Sequence, residues 1–395
     1  MTTKHYFAEP LVFEFTAQVI STEKNEDGTS TIILDETYFY PEGGGQSADK
    51  GTVNNHKILN IYKEGNTVFH VIEGELTETQ VTGKIDAEYR RRNMAAHTGQ
   101  HSLSAAFLRE LNAGTLAVKM NAYGLSTVDI DCADLTEVQI NTVENLANTV
   151  ITENRAVKSY FVSPDSPKLD ELRRAVKFDK VSGDVRLVEI ENFDLSACAG
   201  THFPFTGMLG LLKILKTENY KGGSRIHFAV GQEALVQFRL YQQTIDTTSN
   251  LLSSGIEQIP ELVEKLQSER SDLAKKVAAQ SEQLLSYEAQ EIIENAPGDA
   301  IKLSFENRDN GDLRTLANLL TAECKVVAIA NKSGEDVTLI VASAEDSDAH
   351  AGNLLRAILA EFDGRGGGRD NYAQGVLKNF SDVTALMNVI DNHIN

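Results

Sequence analysis

The stretch HTGQH (residues 97–101) and its counterpart CAGTH (residues 198–202) decide the fold of this chain. Each presents two side chains that can ligate a metal, four positions apart. On a helix, positions i and i+4 lie on one face, so the two histidines of the first stretch can reach the same ion. The cysteine and histidine of the second stretch can complete the coordination from a turn or a second helix. Three imidazoles and one thiolate suit Zn²⁺. The expected ligands are His97, His101, Cys198 and His202.

The chemistry of this zinc ion is limited by what the first stretch lacks. A metalloprotease helix with the pattern His-Glu-x-x-His places a glutamate directly after the first histidine, where this chain has Thr98. Protease chemistry is therefore disfavoured, and a general base would come from elsewhere in the chain or from hydroxyl groups of the substrate. Four protein ligands are typical of a structural site, whereas catalysis needs an open position. The sequence leaves both roles open.

Before the first stretch, residues 1–88 are predicted to form a small β-barrel. Short runs rich in β-branched and aromatic residues alternate there with glycine and asparagine turns. Gly43, Gly44 and Gly45 allow a close backbone approach that serves either a barrel corner or a ligand-binding loop. Gln46, which follows them, could donate or accept a hydrogen bond with a substrate.

Residues 89–231 are predicted to form an α+β domain that holds both ligand pairs. The span 87–111 has a helical apolar period, and a β-strand at 185–190 leads into the second stretch. Arg90, Arg91 and Arg92 lie just before the first stretch. They suit a grip on phosphate beside the metal, and a solvated helix start is the alternative.

Residues 232–296 read as two helices interrupted at Ser253-Ser254-Gly255. Apolar residues recur at heptad positions between Ile256 and Tyr287, and Arg270 and Gln280 interrupt the seam. A packed hairpin arm is favoured over an intermolecular coiled coil. A homodimer through this arm, or through the C-terminal domain, remains open.

A C-terminal α/β domain is expected over residues 297–395, after the boundary signal Pro297-Gly298. Arg365 and Arg369 flank the triplet Gly366, Gly367 and Gly368. Exposed backbone N–H groups and two guanidinium groups suit contact with a phosphate backbone. A flexible loop that ends the preceding helix is the alternative.

Composition places the chain in the cytoplasm. The N-terminus has no apolar segment of the kind that signal peptides carry, and no apolar run is long enough to span a membrane. Three scattered cysteines argue against a disulfide framework and for a reducing compartment. The net charge of −20 opposes gross affinity for nucleic acid, so any RNA contact would depend on local basic patches and would weaken with salt.

Taken together, these segments resemble the alanyl-tRNA editing family, the free-standing relatives of the editing domain of alanyl-tRNA synthetases. The resemblance covers essentially the whole chain. Five motifs carry it. They are residues 37–46 without residue 42, residues 92–103, residues 198–202, residues 225–226 together with 231, and residues 364–369 together with 373–375. The tail is similar to the C-terminal RNA-binding domain of the synthetases. Ala199 stands where glycine is commoner, and Val376 stands where the family continues with glycine.

The resemblance implies a fold class of α+β multidomain type: a β-barrel, a zinc-dependent editing domain, a helical hairpin and an RNA-binding α/β domain. It implies a hydrolase that removes serine, and with it glycine, from mischarged tRNA for alanine. The chain begins at the barrel, so it should act in trans without charging tRNA. The residues expected to take part in catalysis are Gln46, Thr37, His97 and Cys198, with the Thr37 hydroxyl recognising serine. Two alternatives stay open: the same chemistry on tRNA for threonine, and a non-catalytic tRNA-binding module with a structural zinc.

Overall fold

The computed structural model describes residues 2–176, 183–295 and 298–394. It is a mixed α/β, multidomain structure, as the sequence predicts, with two compact units at residues 1–248 and 249–395. The finer division into four domains stays a prediction, and its proposed last boundary, at residues 296 and 297, lies outside the described residues. Among the described residues, no helix is both long and apolar enough to cross a bilayer.

The N-terminal residues form a closed six-stranded barrel. Its strands pair in the order β2-β3-β7-β6-β5-β8, and β8 pairs back onto β2. A short parallel pair, β1 with β4, lies beside it. The strands are β1 (Thr3–Lys4), β2 (Glu14–Lys24), β3 (Ser30–Leu34), β4 (Glu36–Thr37), β5 (Gly51–Val53), β6 (His56–Glu64), β7 (Thr67–Ile72) and β8 (Gln80–Ile85). Alternate residues of β3 and β7 point inward, as period-2 patterning requires. Gly83 makes room for the core, because a Cβ there would lie 2.6 Å from the Phe15 ring.

The region predicted to form the zinc-binding domain contains a long helix, α1 (Ala87–Leu111). This helix packs among two antiparallel sheets and a second helix. Asp86 caps α1 by accepting a hydrogen bond from the backbone N–H of Tyr89. The remaining elements are β9 (Thr115–Lys119), β10 (Ser126–Ile130), α2 (Glu137–Thr152), β11 (Val157–Val162), β12 (Val185–Ile190), β13 (Asp194–Ala197), β14 (Leu212–Tyr220) and β15 (Gly223–Val230). The sheets have the orders β14-β15-β10-β9 and β11-β12-β13. The sequence of Thr136 and Gln139 predicts a capping pair at the start of α2, and the structure confirms it.

Helix α1 differs from an ordinary surface helix because nearly all of it between Asn93 and Phe107 is buried. Gly99 lets the helix approach β15, since a Cβ at that position would lie 2.6 Å from a Val230 methyl group. A glycine in a helix interior costs about 1 kcal/mol relative to alanine. The close approach of β15 explains why glycine occupies this position.

Two helices follow, α3 (Gln232–Leu252) and α4 (Ile259–Asn295). The predicted interruption is therefore present, and whether the helices form a hairpin stays a prediction. Several apolar residues of α4 are exposed, among them Leu273, Val277 and Leu284.

The second unit ends in a five-stranded sheet of order β16-β17-β18-β20-β19, in which only β16 and β17 are parallel. Its elements are β16 (Ala300–Glu306), α5 (Asn310–Leu320), β17 (Val326–Ser333), β18 (Asp336–Ser343), α6 (Ala351–Ala360), β19 (Arg365–Gly368), β20 (Tyr372–Leu377) and α7 (Val383–Ile394). The glycine triplet, for which a flexible loop was one alternative, forms the exposed edge strand β19 instead. Glycine is needed for this pairing, because a Cβ on Gly368 would lie 2.3 Å from Ala373 Cα.

A buried ion pair ties the barrel to helix α1. The Arg90 guanidinium is fully buried and donates to the Asp49 carboxylate and to the carbonyls of Pro10 and Tyr38. Removing one partner of a buried pair leaves the other charge uncompensated, which costs about 3–5 kcal/mol.

We therefore expect Asp49→Asn to lower the stability of the barrel by several kcal/mol. Hydrogen exchange of barrel amides measures this directly. The matched control is Glu75→Gln, which removes the carboxylate of the exposed pair with Lys24. That change should have little effect on stability, because water screens an exposed ion pair. Equal losses in the two variants would contradict the structural role of Arg90.

Candidate metal centre

The structure brings the four expected ligands together in one buried cluster. Their ligand atoms all lie within 4.8 Å of one another. His97 and His101 lie one turn apart on α1, and Cys198 and His202 follow β13. The imidazoles are buried and the thiol is half-buried.

The donor set fits a metal ion. Cys198 Sγ lies 3.3 Å from Nε2 of His97 and 3.3 Å from Nε2 of His202. Three histidine nitrogens and one thiolate sulfur match the ligands that Zn²⁺ takes in tetrahedral sites. The cluster could therefore hold such an ion.

Hydrogen bonds from neighbouring residues orient two of the imidazoles. The Gln46 carboxamide oxygen accepts the backbone N–H of Thr201 at 3.0 Å, which fixes its carbonyl end toward His97. The same oxygen lies 3.0 Å from His97 Nδ1, which must therefore carry the proton and leave the Nε2 lone pair free for a metal. His202 Nδ1 lies 3.1 Å from the Thr98 hydroxyl.

His101 is oriented by a carboxylate. Its Nδ1 lies 2.9 Å from Asp194 Oδ2, so Nδ1 donates and Nε2 is the nitrogen left to bind a metal. Arg173 Nε donates to the other carboxylate oxygen at 2.7 Å.

The charges and hydrogen bonds around Cys198 favour its thiolate, the form that binds a metal. Burial alone would raise the pKa of the Cys198 thiol, but the imidazoles of His97 and His202 and hydrogen bonds from His101 and His202 hold that pKa well below its usual range. Burial lowers the pKa of His202 to about 3, and the neighbouring His97 ring adds to this effect. Burial also opposes the charged form of His101, but its hydrogen bonds with Asp194 and Cys198 outweigh burial and raise its pKa to about 9. The cluster therefore favours a thiolate beside a neutral His202.

The loop that carries Cys198 is held by backbone contacts. The buried Arg186 side chain donates to the carbonyl oxygens of Cys198, at 2.8 Å, and Gly200, at 2.9 Å. Gly200 packs directly against a ligand, because a Cβ there would lie 2.0 Å from His97 Cε1. Only glycine leaves room for the imidazole at this position.

A cleft of about 300 Å³ adjoins the cluster. Three of the ligands, His97, His101 and Cys198, form part of its wall. The other residues that line it are Gly44, Gln100, Thr115, Val118, Arg173, Arg174, Ala175, Val176, Ser196, Ala197 and Ala199. A second cavity of about 680 Å³ contains none of the four ligands.

The glycine loop of the barrel lies beside this cleft. Gly43 and Gln46 pair through two backbone hydrogen bonds, and Gly44 lines the cleft. Gly44 and Gly45 adopt φ of +59° and +83°, a left-handed conformation that favours glycine. The loop is thus both a tight turn and a wall of the cleft.

Two sequence-based expectations need correction. The Thr37 side chain is fully buried in the barrel, where its hydroxyl bonds to His70 at 2.9 Å, and it does not line the cleft. Burial lowers the pKa of His70 to about 4, so this partner is neutral. Arg90 cannot grip a phosphate, because its guanidinium is buried against Asp49.

The other two arginines before the first stretch lie away from the ligands. The Arg91 guanidinium lies 5.0 Å from the Phe13 ring centre, and Arg92 donates to Glu88 and Glu233. Both line the larger cavity. The structure therefore does not bring Arg91 or Arg92 to the cleft.

Arg365, Gly366, Gly367, Gly368 and Arg369 are exposed at the edge of the C-terminal sheet. They lie in the second unit and are not part of the metal centre. Their role in RNA contact stays a prediction.

Sequence reasoning missed Asp194, Arg173 and Arg186. Asp194 had a signal, since it stands four residues before Cys198, where a carboxylate can orient a ligand. Nothing in the local sequence marks Arg173 or Arg186, which reach the cluster only through tertiary packing.

Comparison with protein-family models gives three matches. Residues 5–92 match the model described as tRNA synthetases class II (A), residues 185–227 match the threonyl and alanyl tRNA synthetase second additional domain, and residues 298–395 match the DHHA1 domain. The second range holds Cys198 and His202, whereas His97 and His101 lie outside it.

Curated relatives cover almost the whole chain. The alanine–tRNA ligase of Thermococcus kodakarensis is 33% identical over 388 residues, which are 95% of this chain and 41% of that protein. The alanine–tRNA ligase of Pyrococcus furiosus is 32% identical over 392 residues, 94% of this chain and 42% of that protein. The chain thus spans about two fifths of the length of these relatives. A crystal structure of the C-Ala domain from Aquifex aeolicus alanyl-tRNA synthetase is 24% identical and covers 24% of this chain and 89% of its own, with a TM-score of 0.23, too low to support an argument.

Gly200→Ala should weaken metal binding, because the added methyl group occupies the space of the His97 ring. We expect Zn²⁺ affinity to fall by at least about tenfold, the lower end of the effect seen when ligand orientation is disturbed. Competition with a chromophoric chelator measures it. Ala199→Gly, a change at the exposed neighbouring position, is the control and should leave the affinity unchanged. Tight zinc binding by Gly200→Ala would show that the loop differs from the structure.

Proposed function

Since this chain is a relative of the alanyl-tRNA synthetases, we propose that it hydrolyses the aminoacyl ester of mischarged tRNA for alanine, with serine as the main amino acid removed and glycine as the second. The observation that carries the proposal is the cleft beside the three-histidine, one-cysteine cluster. The cluster includes the two potential ligands of the matched second additional domain, Cys198 and His202. A cleft of about 300 Å³ has room for an aminoacyl group and part of its ribose.

The cofactor we propose is Zn²⁺, held by His97, His101, Cys198 and His202. When bound, zinc supplies a Lewis acid that orients polar atoms of the substrate or polarises a carbonyl group. Gln46 does not reach into the cleft as a catalytic group. It acts as a positioning residue, because its amide holds His97 and the backbone of Thr201.

The base for water attack comes from the substrate in this proposal. Among the described residues that line the cleft, none is a carboxylate, and the ionisable groups are ligands of the cluster and two arginines. The free hydroxyl of the terminal ribose lies next to the ester by its covalent structure. It can therefore accept or relay the proton of the attacking water. Arg174, exposed and lining the cleft, suits contact with a phosphate of the tRNA 3′ end.

Selectivity for serine would come from polar groups in the cleft. Because Thr37 is buried in the barrel and does not line the cleft, we move this role to Gln100 and Thr115, which do. A site built to pair with a hydroxyl rejects a substrate that lacks one, because its polar atoms stay unpaired. Correctly charged alanine would therefore be a poor substrate.

Alanine is favoured over threonine as the cognate tRNA. The family model for residues 185–227 names both synthetases, but the relatives that cover most of the chain are alanine–tRNA ligases. A non-catalytic tRNA-binding module with a structural zinc remains the rival from another class. The cleft beside the ligands favours the enzyme.

The C-terminal unit would hold the tRNA body. Arg365 and Arg369 stand exposed at either end of the glycine run in the edge strand. Because the net charge of the chain is −20, binding would depend on such local cations. The exposed apolar residues of α4 offer a surface for a homodimer.

A deacylation assay tests the reaction. The zinc-loaded protein should hydrolyse Ser-tRNA for alanine faster than Ala-tRNA for alanine and faster than Ser-tRNA for threonine. Gln46→Leu should lower the rate by about 10–100-fold together with zinc affinity, because His97 loses its orienting partner. Gln18→Leu, at an exposed barrel position, is the control. If the zinc-loaded wild type is no faster than buffer, the proposed hydrolase activity is wrong.

The role of the edge strand is tested by Arg365→Ala combined with Arg369→Ala. We expect weaker tRNA binding, and the slope of log affinity against log salt should become shallower by about 1–2. The single-turnover rate at saturating tRNA should not change. The charge-matched control is Lys24→Ala with Lys84→Ala on the barrel. Unchanged affinity in the arginine variant would remove the RNA role of this strand.

A further inference from the structure

Asp194, the first residue of β13, links a metal ligand to an arginine. Its side chain is inaccessible to solvent. Oδ2 lies 2.9 Å from His101 Nδ1, and Oδ1 accepts Arg173 Nε at 2.7 Å. The Ser196 hydroxyl donates to Oδ2 at 3.0 Å. Every partner of this carboxylate is a donor, so its only function in the network is to accept hydrogen bonds.

We infer that Asp194 and Arg173 form a positioning pair that fixes the tautomer of His101 and thereby sets the metal affinity of the centre. Asp194 requires a proton of His101 to stay on Nδ1, so Nε2 is the nitrogen that gives up its proton and binds the metal. Arg173 balances the charge of the buried carboxylate and fixes its orientation. The inference rests on the proposed metal centre and adds to it two residues that are not among its four ligands.

The pair also connects the metal ligand to the wall of the cleft. Arg173 donates to the Thr115 hydroxyl at 3.1 Å and to the Ser196 hydroxyl at 3.0 Å. All three residues line the cleft. One continuous set of hydrogen bonds therefore runs from Thr115 through Arg173 and Asp194 to His101. A substrate that rearranges the cleft wall would act on the same set.

The substitution Asp194→Asn tests whether this carboxylate sets the tautomer of His101. Arg173 can only donate, so it holds the asparagine Oδ1 and turns the NH₂ group toward His101 Nδ1. His101 must then accept at Nδ1 and carry its proton on Nε2, the atom needed for the metal. We expect Zn²⁺ affinity, measured by competition with a chromophoric chelator, to fall by about 10–100-fold. The absorption bands of the Co²⁺-loaded protein should change with it.

A second substitution separates this mechanism from simple damage to the fold. In Asp194→Asn combined with Arg173→Met, no arginine holds the amide, so Oδ1 can turn to His101. We expect the double variant to recover at least half of the lost affinity on a logarithmic scale. A purely structural role would make the two losses add. A double variant that binds zinc more weakly than Asp194→Asn would therefore overturn the inference.

The chain offers a matched control pair. Arg225 donates to both oxygens of Asp129, from Nε at 2.7 Å and from Nη2 at 2.8 Å, without a histidine. Asp129→Asn should leave zinc affinity unchanged. The stability of this variant without metal measures how much stability is lost when an Arg–Asp pair of this kind is broken. Zinc affinity of Asp194→Asn within threefold of the wild type would overturn the inference.

If Asp194→Asn does not fold, NMR of the wild-type protein still tests the inference. In the zinc-loaded wild type, long-range ¹H–¹⁵N NMR should find the His101 proton on Nδ1, in slow exchange with solvent. A proton on Nε2 would overturn the pair while leaving zinc binding itself intact. A wild type that takes up no zinc would overturn both the metal centre and the pair.

Discussion

The Gln46 side chain is the contact on which the arrangement of the site depends. Its amide lies in the barrel loop, and it binds His97 on α1 and both the backbone and the hydroxyl of Thr201. Three segments that are far apart in sequence therefore meet at one buried carboxamide. Since the amide is almost inaccessible to solvent, each of its hydrogen bonds would be costly to break. The barrel is thus part of the metal centre, although it supplies none of the four ligands.

Buried charged side chains fix the positions of the segments that carry the four ligands. Arg90 with Asp49 joins the barrel to α1, Arg173 with Asp194 orients His101, and Arg186 holds the loop of Cys198 by its carbonyl groups. Hydrophobic packing is non-directional, so it can bring these segments together but cannot aim an imidazole. Charged hydrogen bonds have defined directions, and they are strong where water is excluded. The three arginines therefore fix angles that the apolar core leaves free.

The same exclusion of water bears on the proposed reaction. The three imidazoles are buried and the thiol is half-buried, and the cleft beside them is lined mainly by polar and small residues. A substrate hydroxyl that enters such a cleft meets polar groups that can pair with it, and a substrate without a hydroxyl forgoes this pairing, which is the basis for rejecting alanine. In the proposal, the cations expected to contact RNA are Arg174 beside the cleft and Arg365 and Arg369 in the second unit, all of them exposed.

The ligand set could be read directly from the sequence, because positions four apart share a helix face and few side chains suit zinc. The barrel region, the cap of α2 and the break between α3 and α4 were readable for the same reason: they depend on local patterns. Thr37, Arg90 and the glycine triplet were not. Whether a threonine faces a cleft or a barrel core, whether an arginine meets phosphate or Asp49, and whether three glycines form a loop or a strand edge depends on neighbours distant in sequence. Asp194, Arg173 and Arg186 belong to the same class, since their functions exist only once tertiary packing brings them to the cluster. The sequence by itself determined which atoms can bind the metal, and the tertiary structure decided how those atoms are aimed, because direction comes from contacts between segments and not from spacing within one.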